Sequence, residues 1–431
     1  MNALLRLAYA GATNAARALV AVAPRSEAKL WRGLAGRRGL LDRLGRWGLS
    51  HRDPSRGLLW MHAPSVGEGL QARVVLERVR AKRPDLQIAY TYFSPSAEGF
   101  AASVPADVRD YLPLDNARDV RRALNALAPS ALVFSKLDVW PMLTAVAHAR
   151  HVRLGLVSGT VAPDSSRLRA GSRALLRGAY ATLDLVGAIT PNDATRLERL
   201  GVRSERIRVT GDARYDQVWA RARATDLSAP LLKRLASARP TLVAGSTWPK
   251  DQAVLFPAWR EVRRLIPGAF LIIAPHEPIE SHLQPVERWA ESERLLLRRL
   301  GQLDGAAMPD VVLVDRVGVL GDLYALAQCA YVGGGFHAAG LHSVLEPAAF
   351  GAPVIFGPRH TNTIDAAALI ETGGAASVKD AQSLAAQLVR WLGDRPERDR
   401  AGQRASRLVE SGIGAADRSA DLVLELLTER A

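Results

Sequence analysis

Cysteine is almost absent from this chain of 431 residues, which contains Cys329 and no other. A single cysteine excludes a disulfide framework and favours a reducing compartment. No apolar run reaches the roughly 18 residues of a membrane-spanning helix. Full G-x-G-x-x-G, Walker and G-x-S-x-G sequences are missing, as are H-x-x-x-H and cysteine clusters. Nicotinamide enzymes, ATP hydrolases, serine hydrolases and metal sites therefore lose support.

Acidic residues are scarce near the amino terminus. The whole chain has 57 Lys and Arg against 43 Asp and Glu, a net charge of +14. Residues 1–56 contain eleven basic and three acidic residues, so +8 of this excess lies there. Such a segment can bind nucleic acid or an anionic membrane surface. No nucleic-acid-binding motif accompanies the charge, so we expect a membrane surface and no nucleic acid.

The first two dozen residues have the pattern of an amphipathic helix. We expect this helix to lie in the plane of a membrane, with residues 29–47 continuing the same surface. Two alternatives stay open: an ordinary packed helix, and a secretory signal with a cleavage site at AVAP (21–24), whose apolar core a basic residue would interrupt. The polar side holds Arg6, Thr13 and Arg17, and the apolar side holds Leu4, Ala8, Gly11, Ala15, Leu19 and Val22.

From residue 58 onward, short apolar runs alternate with longer helical patterns, which is typical of a parallel sheet covered by helices on both faces. The alternation stops over the charged residues 212–240 and then starts again. We therefore predict an α/β protein with two doubly wound, Rossmann-like domains facing an interdomain cleft, because ligands bind outside the carboxyl ends of such strands. The predicted divisions are a basic membrane-apposed segment (1–56), an N-terminal domain (57–225), a linker (226–237) and a C-terminal domain with terminal helices (238–431).

Four loops of the second half lie between a predicted strand and a predicted helix. AGSTWPKD offers free backbone N–H groups that can hold a phosphate. A glutamate one turn into the helix of GLHSVLEP can accept hydrogen bonds from a ribose diol. Each loop alone is better explained as a capped helix start, but four in succession indicate a nucleotide site. The candidates from these loops are Ser246, Thr247, His276, Glu277, Gly318, Ser343 and Glu346.

Two carboxylates of the first half also follow predicted strands. Glu68 ends HAPSVGE at 62–68, and Asp138 lies in SKLDVWP at 135–141. Glu68 in a first helical turn would complement the helix dipole, and Asp138 could be a simple N-cap. The alternative for both is a role in catalysis.

Taken in order, SVGE, the acidic residue before Val-Trp-Pro, AGSTWP, APHEP and GGG…HSVLEPA…GAPVIFGP resemble the 3-deoxy-D-manno-octulosonic acid (Kdo) transferases. The resemblance covers residues from about 58 to 410, together with a basic N-terminal segment. It implies a GT-B fold and inverting transfer of Kdo from CMP-Kdo to the lipid A precursor (lipid IVA) in lipopolysaccharide biosynthesis. It also implies that no cofactor or metal is needed. The enzyme would act at the cytoplasmic face of the inner membrane, attached peripherally or by its N-terminus.

Roles follow from the resemblance position by position. Glu68 is expected to be the catalytic base, and Asp138 and Arg214 are expected to support the transition state. The residues expected to contact CMP are His276, Glu277, Gly318, Val319, Leu320, Ser343, Val344, Leu345 and Glu346.

Three positions depart from the family pattern. Asp138 replaces a glutamate, Arg214 replaces a lysine with a planar guanidinium, and Ser343 stands where Asn is common. Two other readings stay open: a GT-B glycosyltransferase or epimerase that uses another nucleotide sugar, and a non-enzymatic membrane or nucleic-acid-binding module.

Overall fold

The computed structural model describes residues 3–24, 26, 28–303, 308–361 and 363–428. The chain divides into two compact units, Met1–Gln217 with Gly414–Ala431, and Val218–Ile413. Each unit is built on a seven-stranded sheet in which every neighbouring pair of strands is parallel. The predicted fold class, two doubly wound α/β domains of the GT-B type, is confirmed.

The sheet of the first unit has the strand order β3-β2-β1-β4-β5-β6-β7. Because β2 and β4 lie on opposite sides of β1, the chain reverses its winding direction there, and such a switch point is where ligands bind in doubly wound sheets. The strands are β1 Leu58–His62, β2 Gln87–Tyr92, β3 Val108–Tyr111, β4 Ala131–Ser135, β5 Arg153–Gly159, β6 Leu185–Ala188 and β7 Ile207–Val209.

The sheet of the second unit has the order β10-β11-β9-β8-β12-β13-β14, with its switch point between β8 and β12. Its central strands are continuous runs of buried apolar residues, as expected for a sheet covered on both faces. The strands are β8 Thr241–Thr247, β9 Phe270–Pro275, β10 Leu297–Arg299, β11 Val311–Leu313, β12 Cys329–Val332, β13 Val354–Phe356 and β14 Ala375–Ser377.

Helices cover both sheets. In the first unit they are α1 Ala3–Val22, α2 Lys29–Gly36, α3 Leu40–His51, α4 Val66–Lys82, α5 Glu98–Ala101, α6 Ala117–Leu127, α7 Pro141–His148, α8 Ala170–Ala181, α9 Pro191–Leu200 and the start of α10 Ala213–Ala224. The remaining helices are α11 Pro230–Leu235, α12 Pro249–Leu265, α13 Glu280–Ser292, α14 Leu320–Leu323, α15 Leu345–Ala349, α16 Ile364–Glu371, α17 Ala381–Gly393, α18 Arg395–Ser411 and α19 Ala415–Thr428.

The structure divides the chain differently from the sequence prediction at its C-terminal end. The range 238–431 was expected to be one domain, but α19 packs against α4 and β5 of the first unit. Leu422 and Leu426 are buried in the core of that unit, and a side chain at Gly155 would overlap Leu426. The apolar face of α19 thus completes the first core, which is why the helix leaves the second unit.

The other predicted boundaries also differ. The division between the units falls inside α10, at 217/218, rather than after residue 225. Residues 1–56 belong to the first unit instead of forming a separate segment, because Leu40 and Leu44 of α3 are buried in its core.

The helix α1 contacts the first unit through its polar side and exposes apolar residues, which is the opposite of an ordinary packed helix. On its polar side, the Tyr9 hydroxyl donates to Asp115 at 2.6 Å and Arg17 pairs with Asp119 at 3.0 Å. On its apolar side, Leu19 is 44% exposed and Val22 is 71% exposed. No helix in the described part of the chain is both long enough and apolar enough to cross a membrane.

Candidate active site

Glu68 lies at the switch point of the first sheet, in the first turn of α4 directly after β1. Its Oε1 accepts a hydrogen bond from Lys136 Nζ at 3.1 Å, and its Oε2 accepts one from the Ser65 hydroxyl. The side chain is 19% exposed. Burial opposes ionisation, but the bonds from Ser65 and Lys136 outweigh it and lower the pKa of Glu68 below its usual value. The carboxylate is therefore ionised at neutral pH.

Local backbone geometry brings Glu68 and Lys136 together across the two strands at the switch point. A Cβ at Gly69 would collide with Phe100 and with the Tyr90 hydroxyl, so glycine lets α4 approach β2 closely. Lys136 adopts a left-handed φ of 60°, which is unfavourable for lysine. Its amide donates to the Val157 carbonyl at 2.9 Å, which helps to hold this conformation. Such strain concentrates at functional sites.

Asp138 follows β4 at the same edge of the sheet. Its Oδ2 accepts hydrogen bonds from His62 Nε2 at 3.1 Å and from Trp140 Nε1 at 3.0 Å. Burial opposes ionisation, but the bonds from His62 and Trp140 outweigh it and lower the pKa of Asp138. Trp140 is the N-cap residue of α7, so the interpretation of Asp138 as a helix cap is wrong.

The amide groups at the start of α7 are satisfied by a different carboxylate. Asp115 accepts from the backbone of Met142 at 2.9 Å and of Leu143 at 2.7 Å. Among the described hydrogen bonds, the Asp138 carboxylate therefore accepts from side chains only. Because β1 pairs with β4, the structure brings Glu68 and Asp138 to the same end of adjacent strands.

Arg214, the third predicted catalytic residue, lies at the start of α10. Its Nε donates to Asp212 Oδ2 at 2.8 Å, and its backbone N–H donates to Asp212 Oδ1 at 2.9 Å. The guanidinium is 41% exposed. These bonds fix its stem beside Asp212.

In the second unit, the loop after β8 begins at the switch point. Ser246 has a left-handed φ of 54°, which produces a shift in the register between β8 and β9. Thr247 is buried and accepts from Gln252 at 3.3 Å, whereas Ser246 is partly exposed. Of the two predicted phosphate-binding residues, Ser246 is thus the more accessible to a ligand.

Asp251, in the first turn of α12, joins this loop to the glycine-rich loop after β12. Its carboxylate is fully buried and accepts from the backbone N–H groups of Trp248 at 2.9 Å and Gly334 at 2.8 Å. It also accepts from the Tyr331 hydroxyl at 3.1 Å and from the Phe336 amide at 3.3 Å. A single carboxylate therefore sets the conformation of two loops at the switch point.

Stacked aromatic rings surround Trp248. His276 and His337 stack on its indole at centroid distances of 4.5 and 4.3 Å, and His342 stacks on His276 at 4.4 Å. Trp248 Nε1–H donates to His342 Nε2 at 3.0 Å. Burial and the neighbouring histidines lower the pKa of His342 to about 4, so its ring is neutral at physiological pH.

The remaining predicted nucleotide contacts lie in two loops of the same unit. Gly318 is exposed with φ 88°, and Val319 and Leu320 follow it into α14. Burial raises the pKa of Glu346, and the nearby Arg221 opposes that effect.

The side chains around Glu346 divide into buried and accessible groups. Val344 and Leu345 are fully buried, so their side chains are not available to a ligand. Ser343 and Glu277 are exposed. Arg221 Nε pairs with Asp322 at 3.0 Å, which holds a guanidinium against Gly321.

Several residues of these clusters were not predicted from the sequence. His62 and Lys136 lie in HAPSVGE and SKLDVWP, but no role was predicted for either residue. Trp248 and Asp251 lie in AGSTWPKD and His337 lies in the glycine-rich loop after β12, but no role was predicted for any of the three. Within the described residues, no group of three or more His, Cys, Asp or Glu side chains could hold a metal ion.

If Glu68 is the catalytic base, as the resemblance implies, replacing Lys136 with methionine should shift the pH dependence of catalysis. Lys136 helps to lower the pKa of Glu68, so its removal should raise that pKa. A base works above its own pKa, and the acidic limb of kcat/KM should therefore move to higher pH. Steady-state rates between about pH 4 and 8 measure this shift, and Lys136→Arg should retain the wild-type limb. An unmoved limb in Lys136→Met would show that Lys136 does not tune the base.

The sequence model of the family described as 3-deoxy-D-manno-octulosonic-acid transferase (kdotransferase) matches residues 38–217. A 3-deoxy-D-manno-octulosonic acid transferase of Chlamydophila psittaci is 30% identical over 353 residues, which cover 78% of each chain. The enzyme of the same name from Haemophilus influenzae is 25% identical over 399 residues, 90% of this chain and 91% of that one.

Among solved structures, UDP-GlcNAc 2-epimerase from Neisseria meningitidis bound to UDP-GlcNAc superimposes with a TM-score of 0.63 at 12% identity. The superposition covers 87% of this chain and all of the epimerase. At this identity the likeness concerns the fold alone.

Proposed function

Because the chain belongs to the 3-deoxy-D-manno-octulosonic acid transferase family, a family of glycosyltransferases, we propose that it transfers Kdo from CMP-Kdo to the lipid A precursor lipid IVA, with inversion at the anomeric carbon. The chain spans 78% or more of two relatives that carry the transferase name, and so retains most of their length. The observation that carries the proposal is the ionised Glu68 at the switch point of the first sheet.

Glu68 acts in this proposal as the general base. Its carboxylate takes the proton of the acceptor hydroxyl as the hydroxyl oxygen attacks the anomeric carbon of Kdo. The bond between that carbon and the CMP phosphate oxygen breaks, and CMP leaves with the electron pair. Because the acceptor attacks opposite the leaving group, a single base is sufficient and the configuration inverts.

Asp138 and Arg214 support the transition state in the same proposal. Asp138 is held ionised by neighbouring hydrogen-bond donors, so it can stabilise positive charge as the anomeric centre becomes cation-like. Arg214 has a partly exposed guanidinium that can interact with the anionic donor.

CMP binds in the second unit according to this proposal. Backbone N–H groups at Ser246 and Thr247, before the long helix α12, can hold its phosphate. Glu346 receives the ribose hydroxyls. The imidazole of His276 is exposed and can donate to the departing phosphate. The other proposed contacts are Glu277, the loop at 318–320 and Ser343.

Mass spectrometry of lipid IVA incubated with CMP-Kdo and this protein tests the proposed function directly. One or more Kdo additions are expected, also in the presence of EDTA because we propose no metal. Titration calorimetry should show binding of CMP but not of UDP, and weaker CMP binding by Glu346→Ala. Binding of UDP without CMP binding would favour a different nucleotide-sugar enzyme of the same fold.

We further propose that α1 and the two following helices attach the protein to the anionic cytoplasmic face of the inner membrane. Leu30 of α2 is 68% exposed and Leu49 of α3 is 91% exposed, and the outer side of α1 is apolar. Such residues beside a basic segment match a helix lying in a membrane surface. Each basic residue near such a surface contributes roughly 1 kcal/mol.

Flotation with liposomes measures this attachment. The protein should float with vesicles that contain anionic lipid and much less with neutral vesicles. Val22→Glu combined with Leu19→Glu should reduce binding, because both side chains point away from the unit. Leu265→Glu, at an exposed position of the second unit, is the matched control and should leave binding unchanged. Equal binding to both kinds of vesicle would contradict the proposal.

A further inference from the structure

We propose that His62 is a positioning residue for Asp138, which it orients by donating its Nε2–H to the Oδ2 of that carboxylate. The other oxygen, Oδ1, is then left for the reaction. The effect of His62 on catalysis rests on the proposed function, whereas the hydrogen bond between His62 and Asp138 and the energetic coupling of these two residues do not.

His62 lies at the centre of the first sheet. It is the last residue of β1, in register with Thr91 of β2 on one side and Phe134 of β4 on the other. Its side chain is fully buried, and its ring meets Phe134 edge-on at a centroid distance of 6.3 Å. A fully buried imidazole in this place cannot contact a substrate, so its effect on the site must pass through Asp138.

The hydrogen bonds of the ring define where its proton lies. Nδ1 is 3.0 Å from the Thr91 carbonyl oxygen and 3.1 Å from the Thr91 hydroxyl, which itself accepts from Trp60 at 2.9 Å. Nδ1 can therefore donate to the carbonyl or accept from the hydroxyl. Nε2 faces an ionised carboxylate oxygen, which can only accept. In either arrangement Nε2 carries a hydrogen that points at Asp138.

Both described hydrogen bonds to Asp138 end on one oxygen. Trp140 Nε1–H donates to Oδ2 at 3.0 Å, and His62 Nε2–H donates to the same oxygen. No described residue donates a hydrogen bond to Oδ1. Two donors on one oxygen fix the rotation of the Asp138 side chain.

The charged and titratable groups around Asp138 determine whether its pKa is raised or lowered. Besides His62, Arg167 favours the ionised form. Asp115 and Asp138 repel each other, and Tyr9 and Tyr180 resist ionisation in the presence of Asp138. Removal of the His62 donor should therefore raise the pKa of Asp138 and make it protonate at a higher pH.

His62→Leu and His62→Gln separate positioning from packing. Leucine removes the donor, and we expect kcat to fall by roughly 10²-fold, with its acidic limb moved to higher pH and CMP affinity unchanged. Glutamine can present an amide N–H near the position of Nε2 and should recover most of the rate. His148→Leu, at an exposed position of α7, should behave as wild type. Equal rates for wild type and His62→Leu would overturn the proposal.

Two measurements decide the question without activity. In ¹⁵N spectra of the full-length protein, the His62 Nε2–H signal should be present and should shift in Asp138→Asn. In denaturant unfolding, His62→Leu and Asp138→Leu should be non-additive by at least about threefold in the unfolding constant. Additive effects or an unprotonated Nε2 would refute the inference even if the protein transferred Kdo. If His62 and Asp138 were coupled but the protein did not transfer Kdo, the inference would stand and the proposed function would be refuted.

Discussion

Glu68→Gln should keep the melting temperature and the affinity for CMP, and lose at least about a hundredfold in turnover. General-base assistance contributes roughly 10²–10⁴ to rate, and an amide cannot take the proton of the acceptor hydroxyl. The amide oxygen can still accept from Lys136, so the local geometry should survive. A loss in kcat with unchanged nucleotide binding is the signature of an interaction used only in the chemical step.

Glu68→Gln should also leave the free energy of unfolding nearly unchanged. Lys136 and Glu68 are 32% and 19% exposed, and partly exposed ion pairs contribute about 0–1 kcal/mol. Glu77→Gln, on the same helix and 51% exposed, is the matched control and should retain full turnover. If Glu68→Gln retained near-normal turnover, Glu68 would be a helix-start residue and the base would lie elsewhere.

Asp251→Ala should strongly destabilise the second unit. The substitution leaves the buried donors of Gly334 and Tyr331, and the partly buried N–H groups of Trp248 and Phe336, without their acceptor. Each unsatisfied buried group costs about 1–3 kcal/mol, so we expect a loss of at least about 3 kcal/mol. For a domain of this size, that corresponds to a fall in Tm of roughly 6–12 °C.

The same change should weaken CMP binding more than tenfold, because two loops of the proposed nucleotide site lose their shared support. Differential scanning calorimetry and CMP titration measure the two effects. Lys250→Ala, at the exposed neighbouring position, should change neither. A Tm within about 2 °C of wild type would mean that other contacts hold these loops.

The central strands and the two carboxylates at the first switch point could be predicted from the sequence. The runs that form β1 and β4 are apolar up to their last residue, His62 or Ser135, and each is followed by a polar segment that contains Glu68 or Asp138. The edge strands β7 and β10 could not be predicted, because each has three residues and is only partly buried, which weakens the apolar signal.

The partners of these carboxylates could not be predicted, because they lie far away along the chain. His62 and Asp138 are 76 positions apart, and Glu68 and Lys136 are 68 apart. Such pairs arise only when β1 and β4 become neighbours, and no local pattern encodes that pairing. The contacts of Asp251 with the loop after β12 are likewise non-local.

The return of α19 to the first unit has a consequence for synthesis on the ribosome. Domains generally fold in the order in which they emerge, beginning at the N-terminus. Here Leu422, Val423 and Leu426, which fill the first core, emerge only after all of the second unit. Part of the apolar core of the first unit therefore stays exposed to solvent while the second unit is translated. We expect this interval to be the period in which the nascent chain depends most on chaperones.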